Sequence, residues 1–210
     1  MASTPADDQH YFTARPATPD ERRELEVELA GRAVTVQTAR GVFSAERVDP
    51  GTSVLLPLVP DEPGAGGDVL DLGCGWGPVA LTLALRQPRR RVWAVDVNER
   101  ALDLVRRNAE RLGVPVRACL PDEVPADVVF ERVWSNPPIR VGKEALHELL
   151  LRWLPRLAPG GQAHLVVQKN LGADSLHRWL DERLPEVLPG AATTRTATSK
   201  GFRVLTVRRG

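Results

Sequence analysis

The sequence predicts an α/β fold, a mostly parallel sheet with helices on both faces and an antiparallel hairpin at one edge. Three observations support this prediction. Strand and helix patterns alternate after residue 67, a glycine-rich turn follows the first of these strands, and two β patterns flank Lys200-Gly201 near the end of the chain. Alternation of strands and helices with short connections is typical of a parallel sheet, because crossover helices pack on its faces.

Residues 1–60 predict an N-terminal arm followed by a small β extension. The first 22 residues are polar and rich in Pro, Asp and Thr, so we expect a loose arm. Apolar and polar residues then alternate over 25–29 and 34–38, on either side of Gly31, which is typical of a β-hairpin. A linker rich in Pro, Gly and acidic residues covers 60–67, and we place the start of the main domain at residue 61.

Residues 61–210 predict a seven-stranded sheet with four helices. Apolar residues recur at helical spacing over 99–112, and Pro159-Gly160-Gly161 ends the helix that is predicted over 143–157. The predicted strands are 69–72, 91–95, 114–118, 128–134, 164–167, 192–198 and 202–208, and the predicted helices are 79–85, 99–112, 143–157 and 175–184. The last two strands form the terminal hairpin.

The composition is that of a globular domain with an extension. The chain has 210 residues, 42% hydrophobic and 26% charged, with a formal net charge of +1. Arginines cluster over 86–91 and 106–111, which is compatible with solvated helix faces or with a phosphate-facing patch. Cys74 and Cys119 show neither a disulfide framework nor metal-site spacing, so we expect free thiols and no metal.

The cellular location follows from what the sequence lacks. The N-terminus has neither the basic nor the apolar region of a signal peptide. No apolar run approaches the ~18 residues that a membrane helix needs. We therefore expect a cytoplasmic protein that has no membrane partner.

The glycine-rich turn, Asp71–Gly77, predicts a ligand site. In an open parallel sheet, ligands bind beyond the carboxyl ends of the strands. Glycines let the backbone turn tightly and let a ligand approach it closely. Asp96 ends the second strand, 21 residues beyond Gly75, where a carboxylate can accept hydrogen bonds from both hydroxyls of a ribose.

The details of this turn favour S-adenosylmethionine over a dinucleotide. The dinucleotide fingerprint requires Gly or Ala where this chain has Pro78. Asp71, an acid in the first strand, suits a cationic cofactor better than a pyrophosphate. The predicted cofactor-binding residues are Asp71, Gly73, Cys74, Gly75, Gly77, Asp96, Val97 and Asn136.

A second motif, Asn136-Pro137-Pro138-Ile139, ends the fourth strand at the same edge of the predicted sheet. Asn-Pro-Pro can be a simple turn. It also meets a chemical need, because an amine on a base, or an amide nitrogen, has a delocalised lone pair and is a poor nucleophile. The Asn136 side chain and the Pro137 carbonyl offer two acceptors for its N–H groups, in a loop that proline stiffens. We predict that Asn136, Pro137, Pro138 and Ile139 are the catalytic residues.

With these motifs the chain resembles the Rossmann-like, seven-stranded, class I S-adenosylmethionine-dependent methyltransferases. More narrowly, it is similar to small-domain methyltransferases like the catalytic half of the 16S ribosomal RNA guanine-N2 methyltransferase. The resemblance covers roughly residues 10–208 and is carried by His10-Tyr11-Phe12, Gly41-Val42-Phe43-Ser44, Asp71–Gly77, Val95–Asn98, Ser135–Ile139, Gly142-Lys143, Gln168-Lys169 and Lys200-Gly201-Phe202. It implies methylation of an exocyclic amino group, guanine N2 of ribosomal RNA, with RNA as the partner.

Two positions depart from the family pattern, and two other functions remain open. Ile139 stands where the family often has an aromatic residue that stacks on a flipped base. Asp122 is slightly displaced from the acidic or amide residue that the resemblance places near the adenine. A protein glutamine N-methyltransferase is one alternative, which a tyrosine at position 139 would have favoured. A non-catalytic RNA-binding or ribosome-assembly factor is the other.

Overall fold

The structure, a computed structural model, describes residues 21–210. Residues 1–20 of the predicted arm, with His10-Tyr11-Phe12, lie outside the described residues. The strands are β1 (Arg22–Leu29), β2 (Arg32–Ala39), β3 (Asp68–Leu72), β4 (Arg91–Val95), β5 (Arg117–Cys119), β6 (Phe130–Ser135), β7 (Leu157–Gln168), β8 (Ala192–Ser199) and β9 (Phe202–Arg208). The helices are α1 (Pro50–Leu55), α2 (Pro78–Arg86), α3 (Glu99–Leu112), α4 (Lys143–Trp153) and α5 (Ala173–Val187).

The main sheet has seven strands in the order β5-β4-β3-β6-β7-β9-β8. Strands β3 to β7 are parallel, whereas β9 runs antiparallel to both β7 and β8. The chain order reverses between β3 and β6, which is where open α/β sheets bind their ligands. This confirms the predicted seven-stranded, mostly parallel sheet with an antiparallel terminal hairpin.

Helices cover both faces of the sheet. On one face, Leu150 and Trp153 of α4 and Leu180 of α5 pack against Leu70 and Val133. On the opposite face, α1, α2 and α3 pack against Val69, Ala94 and Trp134. The strands read as nearly continuous apolar runs because both of their faces are buried.

The N-terminal extension shares its hydrophobic core with the main domain. Strands β1 and β2 form a separate antiparallel hairpin. Val36 and Val42 are buried with Trp76 of the glycine turn and with Leu104 of α3. Residues from before and after the predicted boundary at residue 61 therefore pack in one hydrophobic cluster, and the boundary stays a prediction from the sequence.

Several predicted elements have different bounds in the structure. The strand predicted over 164–167 is the longer β7, which begins at Leu157 and includes Pro159-Gly160-Gly161. The helix predicted over 143–157 ends at Trp153, because Pro155 has no N–H to continue it, and Leu157 already pairs with Phe130 in the sheet. The strand predicted over 114–118 lies at Arg117–Cys119. Gly113 caps α3 in the left-handed conformation and the Val114 N–H donates to the Ala109 carbonyl, so this segment closes the helix.

The arginine-rich stretches are largely paired within the protein. Arg111 pairs with Glu24 (2.7 Å) and Arg107 with Asp103 (2.9 Å). Buried Arg90 lies between Glu62 (3.2 Å) and Glu131 (2.5 Å). Among residues 21–210, no helix is long and apolar enough to cross a bilayer, and no cluster of His, Cys, Asp and Glu could hold a metal.

Candidate active site

A cavity of about 370 Å³ opens at the carboxyl ends of β3, β4 and β6, where the strand order reverses. Its walls come from separate parts of the chain: the glycine turn, the end of β4, the Asn-Pro-Pro loop, the loop before α1, and the end of β7 with the start of β9. The predicted residues among its lining are Gly73, Gly75, Asp96, Val97, Asn136, Pro137, Pro138 and Ile139.

The glycine turn forms an open cradle in the cavity wall. Gly73 has φ +74°, and a Cβ atom built on it would meet nothing within 4 Å. A side chain would therefore project into free space that a ligand can use. The N–H groups of Gly73 and Cys74 both donate to the Val95 carbonyl (2.8 and 3.1 Å), which fixes the turn against the end of β4.

Asp96 is a half-buried carboxylate with acceptor capacity left over. Its Oδ2 accepts the N–H of Gly75 and its Oδ1 accepts the N–H of Asn98, both at 2.9 Å. Each carboxylate oxygen has a second lone-pair site, so Asp96 can accept two further hydrogen bonds. Burial raises the pKa of Asp96 above its ordinary value.

Asp71, Cys74 and Gly77 lie behind this cavity, not on its wall. Oδ2 of Asp71 accepts the N–H of Ala80 (2.9 Å) inside the first turn of α2, and burial raises the pKa of Asp71 to about 7. Asp71 and Cys74 border a smaller adjoining space. Gly77 is the N-cap of α2 with φ +97°, and a Cβ there would lie 3.0 Å from Val105. These residues shape the turn, and their contact with a cofactor stays a prediction.

The side chain of Asn136 is held from one side only. Its Nδ2 donates to Oδ1 of Asp49 (2.7 Å) and to Oγ1 of Thr52 (3.1 Å). No donor among the described residues bonds to its Oδ1, which is not buried. Because Asp49 can only accept, the amide nitrogen must face it, and the carbonyl oxygen is left for the cavity.

The loop before α1 closes the cavity from the N-terminal side. Phe43 lines it with 46% of its surface exposed. This loop is held by one residue of the glycine turn and one residue that follows β4. Trp76 Nε1 donates to the Ser44 carbonyl (3.2 Å), and Asn98 Nδ2 donates to the Gly41 carbonyl (2.8 Å). Trp76 is itself buried, so it supports the loop from below.

Asp122 does not reach the cavity in this structure. Its side chain is 92% exposed and pairs with Arg152 at 2.6 Å, whereas the neighbouring Pro121 lines the wall. Its predicted contact with an adenine remains untested. Val97 does line the wall and is 44% exposed.

Asp49 and Thr52 are functional candidates that we did not predict from the sequence. Asp49 accepts the N–H groups of Gly51 (2.7 Å) and Thr52 (3.1 Å) and so caps α1, which begins with Pro50. Asp-Pro is a recognisable helix start and could have revealed α1. The contact with Asn136 joins residues 87 positions apart and leaves no local signal.

The charge of the cavity suits a cation. Asp49 and Asp96 are the charged residues among the described lining, and no Lys or Arg side chain faces them there. A pyrophosphate would meet two carboxylates and no cation, whereas a sulfonium with a ribose would meet favourable partners. The open cradle at Gly73, the free acceptors of Asp96 and this charge all fit S-adenosylmethionine.

Comparison with known proteins agrees with this geometry. Residues 33–206 match the family model described as methyltransferase small domain. Uncharacterized protein YbxB of Bacillus subtilis strain 168 is 33% identical over 183 residues, 85% of this chain and 90% of that protein. Ribosomal RNA small subunit methyltransferase C of Pseudomonas aeruginosa strain LESB58 is 31% identical over 202 residues, 92% of this chain and 58% of that enzyme.

A solved structure is also similar over most of the chain. It is that of the T. thermophilus 16S rRNA N2 G1207 methyltransferase in complex with AdoMet and guanosine, with a TM-score of 0.73 and 25% identity. The match covers 93% of this chain and 52% of that one. This chain thus spans about half the length of the rRNA methyltransferases that it matches.

The fold and the site define a class I S-adenosylmethionine-dependent methyltransferase. The chain belongs to the methyltransferase small domain family. S-adenosylmethionine is its cofactor, as we predicted.

Proposed function

We propose that this protein methylates the exocyclic N2 amino group of a guanine in ribosomal RNA. The observation that carries the proposal is that Oδ1 of Asn136 has no hydrogen-bond donor among the described residues, in a side chain that lines the same cavity as Gly73 and Asp96. An acceptor at this place is useful for a substrate that brings an N–H group to the methyl donor.

The first task of the site is to make a poor nucleophile reactive. The guanine amino nitrogen has its lone pair delocalised into the ring, and it has two N–H groups. In our proposal Asn136 Oδ1 accepts one N–H and the Pro137 carbonyl accepts the other. These two hydrogen bonds hold the amine so that its lone pair is less delocalised into the ring and points towards the methyl donor. Pro137 and Pro138 restrict the loop, so these acceptors are in place before the substrate arrives.

The second task is positioning. S-adenosylmethionine supplies an electrophilic methyl group when bound. Asp96 and the cradle at Gly73 would hold the ribose and the methionine side of the cofactor. Asn136 would hold the nitrogen in line with the methyl group, and this alignment accounts for much of the rate enhancement. The nitrogen forms its new bond to the methyl carbon as the bond from that carbon to the sulfonium sulfur breaks, S-adenosylhomocysteine is the leaving group, and the nitrogen loses one proton to water.

Features around the cavity mouth support RNA as the substrate class. Phe43 and Leu171 line the cavity and are 46% and 43% exposed, which suits contact with the face of a base. Several exposed cations lie close in sequence to residues that line the cavity: Arg47, Lys143, Lys169 and Lys200. None of these four has an ion-pair partner within residues 21–210. Phosphate groups would meet these cations outside the acidic cavity. The names of the matched rRNA methyltransferases point the same way.

The test is to map the methylated atom. The purified protein and labelled cofactor are incubated with naked ribosomal RNA, small subunits and large subunits from a strain that lacks the protein. We expect label in one RNA, with N2-methylguanine at the modified position. Label in a protein glutamine would overturn the RNA assignment, and methylation of a different RNA atom would overturn the N2 assignment. No transfer to any of these substrates would favour the non-catalytic alternative.

A further inference from the structure

We infer that Asp49 is a positioning residue, which keeps the Asn136 amide turned so that its carbonyl oxygen faces the substrate. The inference rests on the proposed function of Asn136. Asp49 belongs to the N-terminal extension and lies outside the glycine turn and outside the Asn-Pro-Pro-Ile motif. Asp49 lies in the loop that enters α1 and lines the same cavity as Asn136.

The hydrogen bonds around Oδ1 of Asp49 fix its own position. This one oxygen accepts from the N–H of Gly51 (2.7 Å), the N–H of Thr52 (3.1 Å) and Nδ2 of Asn136 (2.7 Å). The two backbone donors belong to the first turn of α1, whose Thr52 is buried. The acceptor that faces Asn136 is therefore held by the helix and cannot follow a rotation of the amide.

The chemistry of the pair allows only one orientation of the amide. If Asn136 turned over, its Oδ1 would stand against Oδ1 of Asp49, where two acceptors repel each other, and its two amide protons would face the cavity. A donor there would repel the N–H groups of an amine. A charged acceptor on Nδ2 also polarises the amide and makes its carbonyl oxygen a better acceptor, because linked hydrogen bonds strengthen one another.

A purely structural role for Asp49 is the competing explanation, since Asp is a good helix N-cap. Asp49→Ser separates the two roles. Serine caps helices as well as aspartate does, but its side chain is shorter by one atom and does not reach Asn136. Thr52→Val is a milder companion variant, because it removes the second acceptor of Asn136 and preserves the shape of the side chain.

We expect Asp49→Ser to lower kcat about 30-fold, since a net hydrogen bond to a charged group contributes about 2 kcal/mol. The melting temperature should change little, and kcat is compared at saturating S-adenosylmethionine because Asp49 is one of the two carboxylates of the cavity. Asn136→Asp would place two carboxylates in contact and should be nearly inactive. A kcat unchanged in Asp49→Ser overturns the inference.

A measurement that does not need turnover keeps this test separate from the proposed function. The side-chain amide resonances of Asn136, identified by their loss in Asn136→Ala, report on its hydrogen bonds in the free protein. We expect slow exchange and a downfield proton in the wild type, and loss of both in Asp49→Ser. Identical resonances would overturn the inference even if methyl transfer to RNA is demonstrated. If the wild type transfers no methyl group, the proposed function fails while this readout still decides whether Asp49 orients Asn136.

Discussion

Nε1 of Trp76 donates to the carbonyl of Ser44 at 3.2 Å, and this bond joins the glycine turn to the loop that carries Phe43. Trp76 is 1% exposed and packs with Val42 and Leu104. The cofactor side of the cavity and the substrate side therefore share one support. A substitution of Trp76 should therefore alter the loop at the cavity mouth, although the Trp76 side chain lies beneath that loop.

Trp76→Phe tests this support. The variant keeps an aromatic ring but loses the N–H donor, so we expect about 1–3 kcal/mol lower unfolding free energy. We also expect the KM for RNA to rise several-fold more than the Kd of S-adenosylmethionine. Denaturant unfolding and steady-state kinetics measure the two effects. Leu81→Ala is the control, since Leu81 lies in the same cluster and its loss leaves the hydrogen bond in place. Equal effects of both variants on KM would show that the bond has no specific role.

Asp96→Asn should weaken cofactor binding. The amide keeps the shape of the carboxylate, but its nitrogen would face the N–H of either Gly75 or Asn98 and could not accept from a ribose hydroxyl. We expect the Kd of S-adenosylmethionine to rise about 10- to 100-fold, which corresponds to about 1.5–3 kcal/mol. Calorimetry measures this directly. The same substitution at Asp103, on the outer surface of α3, is the matched control. An unchanged Kd in Asp96→Asn would contradict the assignment of Asp96 to the ribose.

Phe43→Leu tests whether an aromatic ring contacts the target base. Ile139 offers an aliphatic contact only, so Phe43 is the exposed aromatic side chain in the described cavity wall that could stack. Stacking of a base on an aromatic ring contributes about 1–3 kcal/mol, so kcat/KM for RNA should fall roughly 5- to 150-fold, with cofactor binding retained. Phe43→Tyr should restore most of the loss. Equal activities for leucine and phenylalanine would exclude stacking at this position.

Asp71 makes stability depend on pH in a defined direction. Burial raises its pKa in the folded state to about 7, from an ordinary value of 3.8. Between these values the folded chain keeps a proton that the unfolded chain releases, so the stability from this group is lost as pH rises towards 7. The slope is at most about 1.4 kcal/mol per pH unit. Asp71→Asn removes the titration, and its unfolding free energy relative to the wild type should rise from about pH 4 to about pH 7 and then level off. Urea unfolding curves that keep a constant offset would contradict this.

Much of the fold could be predicted because its signals are local. Each strand of the parallel sheet is a short apolar run. The spacing between the glycine turn and Asp96 along the chain predicts that both lie at the carboxyl ends of neighbouring strands. Two of the boundary errors have local causes as well. Pro155 ended a helix that the apolar pattern continued, and Gly113 capped α3 and took Val114 away from β5.

The site was harder to predict because its residues come together only in three dimensions. Asp49 and Asn136 are 87 positions apart, and no periodicity links them. The motif around the glycine turn also mixes residues that face the cavity with residues that support the turn. Gly73 and Asp71 are close neighbours in sequence, yet only Gly73 lies on the cavity wall, and burial distinguishes them.

We propose that Asn136 acts mainly in methyl transfer, although we also predicted it from the sequence as a cofactor-binding residue. The most direct test of this proposal is the single-turnover rate of methyl transfer to RNA, at saturating S-adenosylmethionine, for the wild type and Asn136→Ala. We predict that the variant transfers at least about 100-fold more slowly, as expected for the loss of one preorganised polar group at the reacting centre, with a cofactor Kd within about threefold of the wild type. A variant that transfers at the wild-type rate, or that is slow only because it no longer binds S-adenosylmethionine, would contradict the account.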